Sequence, residues 1–337
     1  MKSEAPAYAK TLWRGVPAEP VFAGFCSSNR MKSEPEQLRA KCAVLERRAA
    51  CLHAIRSFFV DRDFLEVETP VRVRAPAPER HIDAEPSGDL FLRTSPELHM
   101  KRLLAAGYER LFQMGACFRR GERGTLHHPE YTMLEWYRAN ADYGDILKDT
   151  QALIRHTAET VRGTQTIRRQ GCTVRLDGDW TRMTVRDAFT QWAGWDPVTS
   201  YDADRFDLDL VEQVEPEIRT CPTPFILTDY PREAASLARM KPGDPAVAER
   251  WELYIAGIEI ANAYSELTDH DEQRQRFDAC VRLRREAGLA VYPADLEFLR
   301  ALEHGLPPSG GIALGVDRLV MLMADAATID DVTAFAE

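Results

Sequence analysis

The sequence predicts an α+β fold, an antiparallel sheet flanked by helices, and three observations carry that prediction. A long amphipathic helix opens the patterned part of the chain. Alternating segments on either side of a glycine-bearing loop make a long hairpin over residues 111–137. A strand of small residues, 310–316, runs straight into a helix. Strands joined by hairpin loops, with helices set between them, build an antiparallel sheet in preference to a doubly wound one.

Residues 1–35 are rich in Pro, Ala, Ser and Gly without sustained periodicity and read as a poorly ordered extension. Met1-Lys2-Ser3-Glu4 recurs as Met31-Lys32-Ser33-Glu34, either a coincidence or a second start at Met31. Residues 36–337 then form one catalytic-sized domain. Leu38, Cys42, Leu45, Ala49, Leu52 and Phe59 recur at spacings of three, four or seven, which predicts a helix. Residues 66–70 read as a strand stopped by Pro70, and 75–90, with three prolines and a glycine, as a loop. Pro96 suits the first turn of a helix over 96–106. The hairpin strands run over 111–119 and 131–137. A helix at 142–162 opens a stretch, 142–222, expected to be peripheral and more variable. Strands follow at 225–228 and 251–261, a charged helix at 270–287, and the strand–helix joint at 310–317.

With 337 residues, 45% hydrophobic and 28% charged, the chain reads as a soluble globular protein. A formal charge of −10 supplies no basic field for non-specific nucleic-acid binding, which argues against tRNA as a partner. Seven scattered cysteines with no C-x-x-C pair suggest reduced thiols, no zinc site and a cytoplasmic location. No run of 18 apolar residues suggests a membrane span, and the N-terminus lacks an apolar signal-peptide core.

A P-loop needs G-x-x-x-x-G-K-[ST], and no Gly-Lys pair occurs; no G-x-G-x-x-G follows a strand either. A nucleotide site must therefore use another design. The hairpin loop holds Arg119, Arg120, Glu122, Arg123, His127 and His128, while Tyr131, Met133, Glu135 and Tyr137 share a strand face. An aromatic, a carboxylate and a phenol in that row suit a base and a ligand amine; a solvated hairpin is the plain alternative. In residues 259–266, Glu259 and Glu266 flank Asn262, and two such acids can serve one Mg²⁺–phosphate assembly; taken alone, the cluster reads more simply as Glu266 capping a turn and Glu259 on a solvent face. Glycines at 310, 311 and 315 mark close approach by a ligand or backbone. Arg318, a cation in a first helical turn, opposes the helix dipole and wants an anionic partner.

These clusters, in this order, resemble the three signature motifs of class II aminoacyl-tRNA synthetases. Motif 1 resembles the long helix and the strand ending at Pro70, motif 2 the stretch from Phe118-Arg119 to Glu130-Tyr131, and motif 3 Gly315-Val316-Asp317-Arg318. Ser95-Pro96-Glu97, Thr132-Met133-Leu134-Glu135-Trp136-Tyr137 and Glu259-Ile260-Ala261-Asn262 are similar to the lysine-specific subgroup. No room precedes motif 1 for the oligonucleotide-binding barrel of a lysyl-tRNA synthetase, so the chain resembles the elongation factor P–(R)-β-lysine ligase family. Ala313, where lysyl-tRNA synthetases tend to have Gly, points the same way.

The resemblance implies ATP and Mg²⁺, a lysine-type amino acid, elongation factor P as acceptor, and a homodimer through residues about 36–70. It gives Arg119 and Arg318 the catalytic contacts to phosphate, with Gly121, Glu122, His127, His128, Tyr131, Glu259, Ile260 and Gly315 around ATP. Ser95, Pro96, Glu97, Glu135, Tyr137, Asn262 and Glu266 would bind the amino acid, and Glu259 and Glu266 the metal. Two departures stand out: Arg119-Arg120-Gly121-Glu122 replaces the usual Arg-Asn-Glu, and His128 stands where Asn is usual. The rival readings are a truncated synthetase charging tRNA and an inactive regulatory subunit.

Overall fold

The computed structural model describes residues 33–336. The expected second start at Met31, and the expected extension up to residue 32, lie outside them. Among the described residues, those up to Arg39 belong to a unit of their own, so α1 (Glu34–Ala40) is described by itself. At its start the Ser33 amide and hydroxyl both donate to the Glu36 carboxylate at 2.8 Å, the reciprocal of an N-terminal cap.

The predicted long helix is interrupted at Lys41. Beyond it α2 (Cys42–Val60) buries Cys51, Ile55, Phe58 and Phe59. The strand expected over 66–70 is shorter, β1 (Leu65–Glu66), because only these residues pair with a neighbour. The loop after Pro70 contains a small sheet that the prolines hid: β2 (Arg72–Val73), β3 (Pro86–Ser87) and β4 (Leu90–Leu92), in order β2-β4-β3. Next come α3 (Glu97–Ala105), the hairpin β5 (Arg110–Phe118) and β6 (Glu130–Ala139), and α4 (Tyr143–Arg162). Asp142 caps α4 in a capping box with Asp145, and Gly163 ends it at φ 66°.

Residues 163–224 carry the hairpin β7 (Thr166–Arg169) and β8 (Cys172–Arg175), then β9 (Thr181–Thr184), α5 (Val185–Trp192), α6 (Ala203–Asp209), a π-helical turn at Leu210–Val214, and α7 (Glu215–Arg219). The chain continues through β10 (Phe225–Pro231), β11 (Met240–Lys241), β12 (Asp244–Ile255), β13 (Ile258–Ser265), α8 (His270–Glu286), α9 (Leu296–Gly305), β14 (Ser309–Gly315) and α10 (Val316–Ala324). The single strand expected over 251–261 is instead a hairpin corner. Ala256 and Gly257 take φ 51° and 73°, the geometry of a two-residue hairpin turn, although alanine is a poor signal for it.

Among the described residues, nine strands join in one sheet of order β1-β5-β6-β14-β13-β12-β10-β9, with β11 on β12. All its pairings are antiparallel except β1–β5 and β10–β9. The α+β expectation therefore holds. One face packs Trp136, Trp251, Leu134 and Leu314 against α2, α4 and α10. The other face is left to the cavity described next.

Candidate active site

β14 forms the floor of a cavity in the sheet centre. Its Gly311, Ala313 and Gly315 stand in register with Tyr137, Glu135 and Met133 of β6 on one side. Tyr264 and Asn262 of β13 oppose Gly311 and Ala313 on the other. Residues with little or no side chain thus separate two rows of functional ones. A Cβ on Gly311 would strike the Glu266 carboxylate and the Tyr137 ring, so only glycine fits there.

Glu259 and Asn262 are three apart, and an unbroken strand would send them to opposite faces. The β12–β13 ladder shifts register here, with Leu253 opposite Ala261 and Tyr254 opposite Glu259. Ile260 is the extra residue of a β-bulge. Glu259, Asn262, Tyr264 and Glu266 consequently line one cavity, where a bulge re-aims a side chain.

Carboxylates crowd the deep end. Glu135, 1% exposed, accepts hydrogen bonds from Ser95 Oγ at 2.6 Å and Tyr137 OH at 2.8 Å. Lys101, with no exposed side-chain surface, places Nζ 2.6 Å from Glu97 and 2.5 Å from Glu266. Apart from that approach by Lys101, no donor among the described residues meets either Glu266 oxygen, which leaves acceptor capacity. Burial, with repulsion from Glu97, pushes the Glu135 carboxyl up to about 8. Burial also lifts Glu266, to about 7, against the pull of Lys101. Burial works against the Lys101 charge, yet Glu266 and Glu97 hold its ammonium well above the usual lysine range.

The other end is cationic. Arg119 follows β5, where its amide donates to Pro129 O at 2.8 Å and closes the hairpin loop. Its guanidinium lies 5.3 Å from the Tyr131 ring centre and 3.4 Å from Glu122, and its buried Nε has no acceptor. Tyr131 OH donates to Thr94 O at 2.9 Å, which fixes the ring. Arg318 finds the anionic partner its position demands: it donates to Glu259 O at 2.8 Å and Glu259 Oε2 at 3.1 Å, and meets His127 Nε2 at 2.6 Å. Arg318 holds Glu259 below the usual carboxylate range although burial opposes this. Burial and Arg318 together hold the His127 imidazole below its usual range.

The cavity brings together Ser95, Glu97, Arg119, Glu122, His127, His128, Tyr131, Glu135, Tyr137, Glu259, Ile260, Asn262, Glu266, Gly315 and Arg318. Two expected site residues do not line it. Pro96 is the N-cap of α3, and Gly121, at φ 75°, shapes the hairpin loop. His128 is 7% exposed and makes a short hydrogen bond with the Asp330 carboxylate through Nε2. Glu266 ends on Lys101 and Glu259 on Arg318, and among the described residues no group of three metal-type donors forms. Among the cavity residues that sequence reading left without a role are Lys101, Tyr264 and Glu79. Lys101 had a signal, its i,i+4 spacing from Glu97. Glu79 had none, being in a proline-rich loop.

A family model described as tRNA synthetases class II (D, K and N) matches residues 36–337. An elongation factor P–(R)-beta-lysine ligase of Erwinia tasmaniensis is 41% identical over 317 residues, which cover 89% of this chain and 96% of that protein. Its namesake in Hamiltonella defensa is 39% identical over the same shares. The lysine–tRNA ligase of Thermosynechococcus vestitus is 39% identical over 321 residues, 87% of this chain. This chain spans 56% to 63% of the length of the lysine–tRNA ligases it matches.

Proposed function

Because the chain belongs to the class II tRNA synthetases of the D, K and N group, we propose that it activates a lysine-type amino acid with ATP and transfers it to a lysine of elongation factor P. One observation carries this reading. A single cavity holds two buried carboxylates, Glu135 and Glu266, and the partly buried Glu97, with one internal cation at one end, and two arginines at the other. That is the charge complement of a diamino acid joined to a phosphate.

In the first step a carboxylate oxygen of the amino acid attacks the α-phosphorus of ATP, forming an O–P bond as the bond to pyrophosphate breaks. In the second an acceptor lysine amine attacks the acyl carbon, AMP leaves, and the amine gives up a proton. No enzyme nucleophile is required; catalysis is positioning and charge stabilisation. Arg119, with its free Nε and bidentate fork, takes the α-phosphate and the reacting carboxylate. Arg318, released from Glu259, takes the triphosphate tail, and the Tyr131 face takes adenine. Glu122, His127 and His128 border that end.

Glu259, whose side chain is 40% exposed, suits a Mg²⁺ that takes one or two carboxylates and phosphate oxygens; Glu266 is committed to the amino-acid end. The ion, when bound, neutralises charge on the phosphates. Ala313 lies in register between Glu135 and Asn262, so its methyl stands on the floor under the substrate. That extra carbon favours (R)-β-lysine over α-lysine.

The acceptor reading draws on the 96% coverage of the Erwinia ligase and the formal charge of −10; tRNA is the rival. A cytoplasmic setting and a homodimer through residues about 36–70 complete the proposal. No helix among the described residues is long and apolar enough to cross a membrane.

Pyrophosphate exchange into ATP tests the first step. It should proceed with a lysine isomer and Mg²⁺ in the absence of tRNA, and Arg119→Lys should cut it by about a hundredfold or more while melting changes little. Exchange with no lysine isomer would sink the adenylation claim. Normal exchange in Arg119→Lys would remove that residue from the site.

A further inference from the structure

Glu79 lies in the loop between β2 and β3, outside every motif, yet it lines the cavity. Its backbone is held on several sides. Arg284 of α8, 1% exposed, donates through Nη1 to the carbonyls of Glu79 at 2.7 Å, Arg80 at 3.1 Å and Ile82 at 3.0 Å. Its Nη2 forms a short ion pair with Asp83, and its Nε donates to Ala290 O at 2.7 Å. The Ala84 amide donates to Tyr292 OH at 2.8 Å, and the Arg120 amide donates to Asp83 O at 2.8 Å. The last bond ties this loop to the one that carries Arg119. A loop this firmly held aims its side chains.

By contrast, the Glu79 carboxylate makes no hydrogen bond or ion pair with any described residue. Its strongest charged neighbour is Arg119, followed by Glu97, Arg250 and Glu122. It therefore feels both the arginine that takes the reacting carboxylate and the first of the amine-binding acids. Glu135, Tyr137 and Glu266 occupy the far end.

We propose that Glu79 is a substrate-binding residue that pairs with the amine nearest the reacting carboxylate, and that Arg284 is the positioning residue holding it there. The assignment rests on the adenylating reading above and divides the substrate between two acid groups: Glu79 with Glu97 near the reaction, Glu135 with Glu266 at the tail. Such a site demands two amines. It selects diamino acids over ω-amino acids of equal length.

Two probes separate these roles, (R)-β-lysine and 6-aminohexanoic acid, which keeps the tail amine and lacks the other. Calorimetric titration of the full-length protein should show Glu79→Gln weakening (R)-β-lysine by about tenfold or more, a lost charge-assisted pair. The same variant should bind 6-aminohexanoic acid within about twofold of the parent, because the missing amine never met Glu79. Glu79→Asp, which keeps the charge, should recover part of the loss. Arg284→Lys should raise the KM for (R)-β-lysine and leave the KM for ATP unchanged. Equal weakening of both probes by Glu79→Gln, or no weakening of either, overturns the proposal. Parent protein that binds neither lysine isomer and exchanges no pyrophosphate overturns the adenylating reading and this assignment with it. Parent exchange with a neutral Glu79→Gln overturns the assignment alone.

Discussion

Glu135 and Glu266 carry the clearest pH signature of the site. Both carboxyls are raised by burial, to about 8 and about 7, and they face Glu97, Lys101 and Tyr137 from α3 and β6. Between the ordinary carboxylate range and these values the folded protein binds more protons than the unfolded chain. Stability of the ligand-free protein should therefore fall as pH rises from about 5 to about 8. A diamino acid favours the ionised carboxylates, so its affinity should rise over the same interval and its addition should offset the loss. Melting curves across that range, with and without lysine, check both slopes; a ligand-free stability that climbs with pH would contradict the assignment. The residues of this end were legible because Glu97, Glu135, Asn262 and Glu266 sit in motif stretches. The role of Lys101 was not, because a buried cation among acids looks like any exposed i,i+4 pair until burial is known.

At the scale of elements, the site is a matter of strand register. The hairpin, α3 and the β14–α10 joint are where alternation and glycine spacing put them, because those signals are local. Two features were not local. The bulge at Ile260 is needed to turn Glu259 and Asn262 to one face, and nothing in a run of apolar and small residues announces it. The turn at Ala256–Gly257 hides behind an alanine at φ 51°. Gly311 was legible as a close-approach glycine, and its neighbours give the reason: the Glu266 carboxylate and the Tyr137 ring leave no room for a methyl. Gly311→Ala should cost about 1–3 kcal/mol by overpacking and raise the KM for the amino acid more than that for ATP. Denaturation and steady-state kinetics on one preparation would show it. Unchanged values would mean that the floor tolerates a side chain.

On the scale of the whole molecule, β1 is an end strand of the main sheet and, among the described residues, pairs only with β5. Several large apolar side chains in β1, before and after it, and before β5 are exposed. Val60, Leu65, Val71 and Tyr108 are 59%, 49%, 42% and 47% exposed. Edges of this kind are usually covered, and a two-fold partner covers one with its own copy. Light scattering at micromolar concentration should give a homodimer, and Leu65→Glu should shift it toward monomer; a parent protein that is monomeric would contradict the interface. The acidic balance of the chain, −10 overall, sits outside the cavity's own charge logic and bears on the acceptor. The central claim is transfer of a lysine-type group to elongation factor P, and intact mass spectrometry tests it most directly. Elongation factor P incubated with this protein, ATP, Mg²⁺ and (R)-β-lysine should gain the mass of one lysyl residue, and should gain less or none with α-lysine. No mass gain on elongation factor P with either isomer, while tRNA becomes charged under the same conditions, would contradict the account.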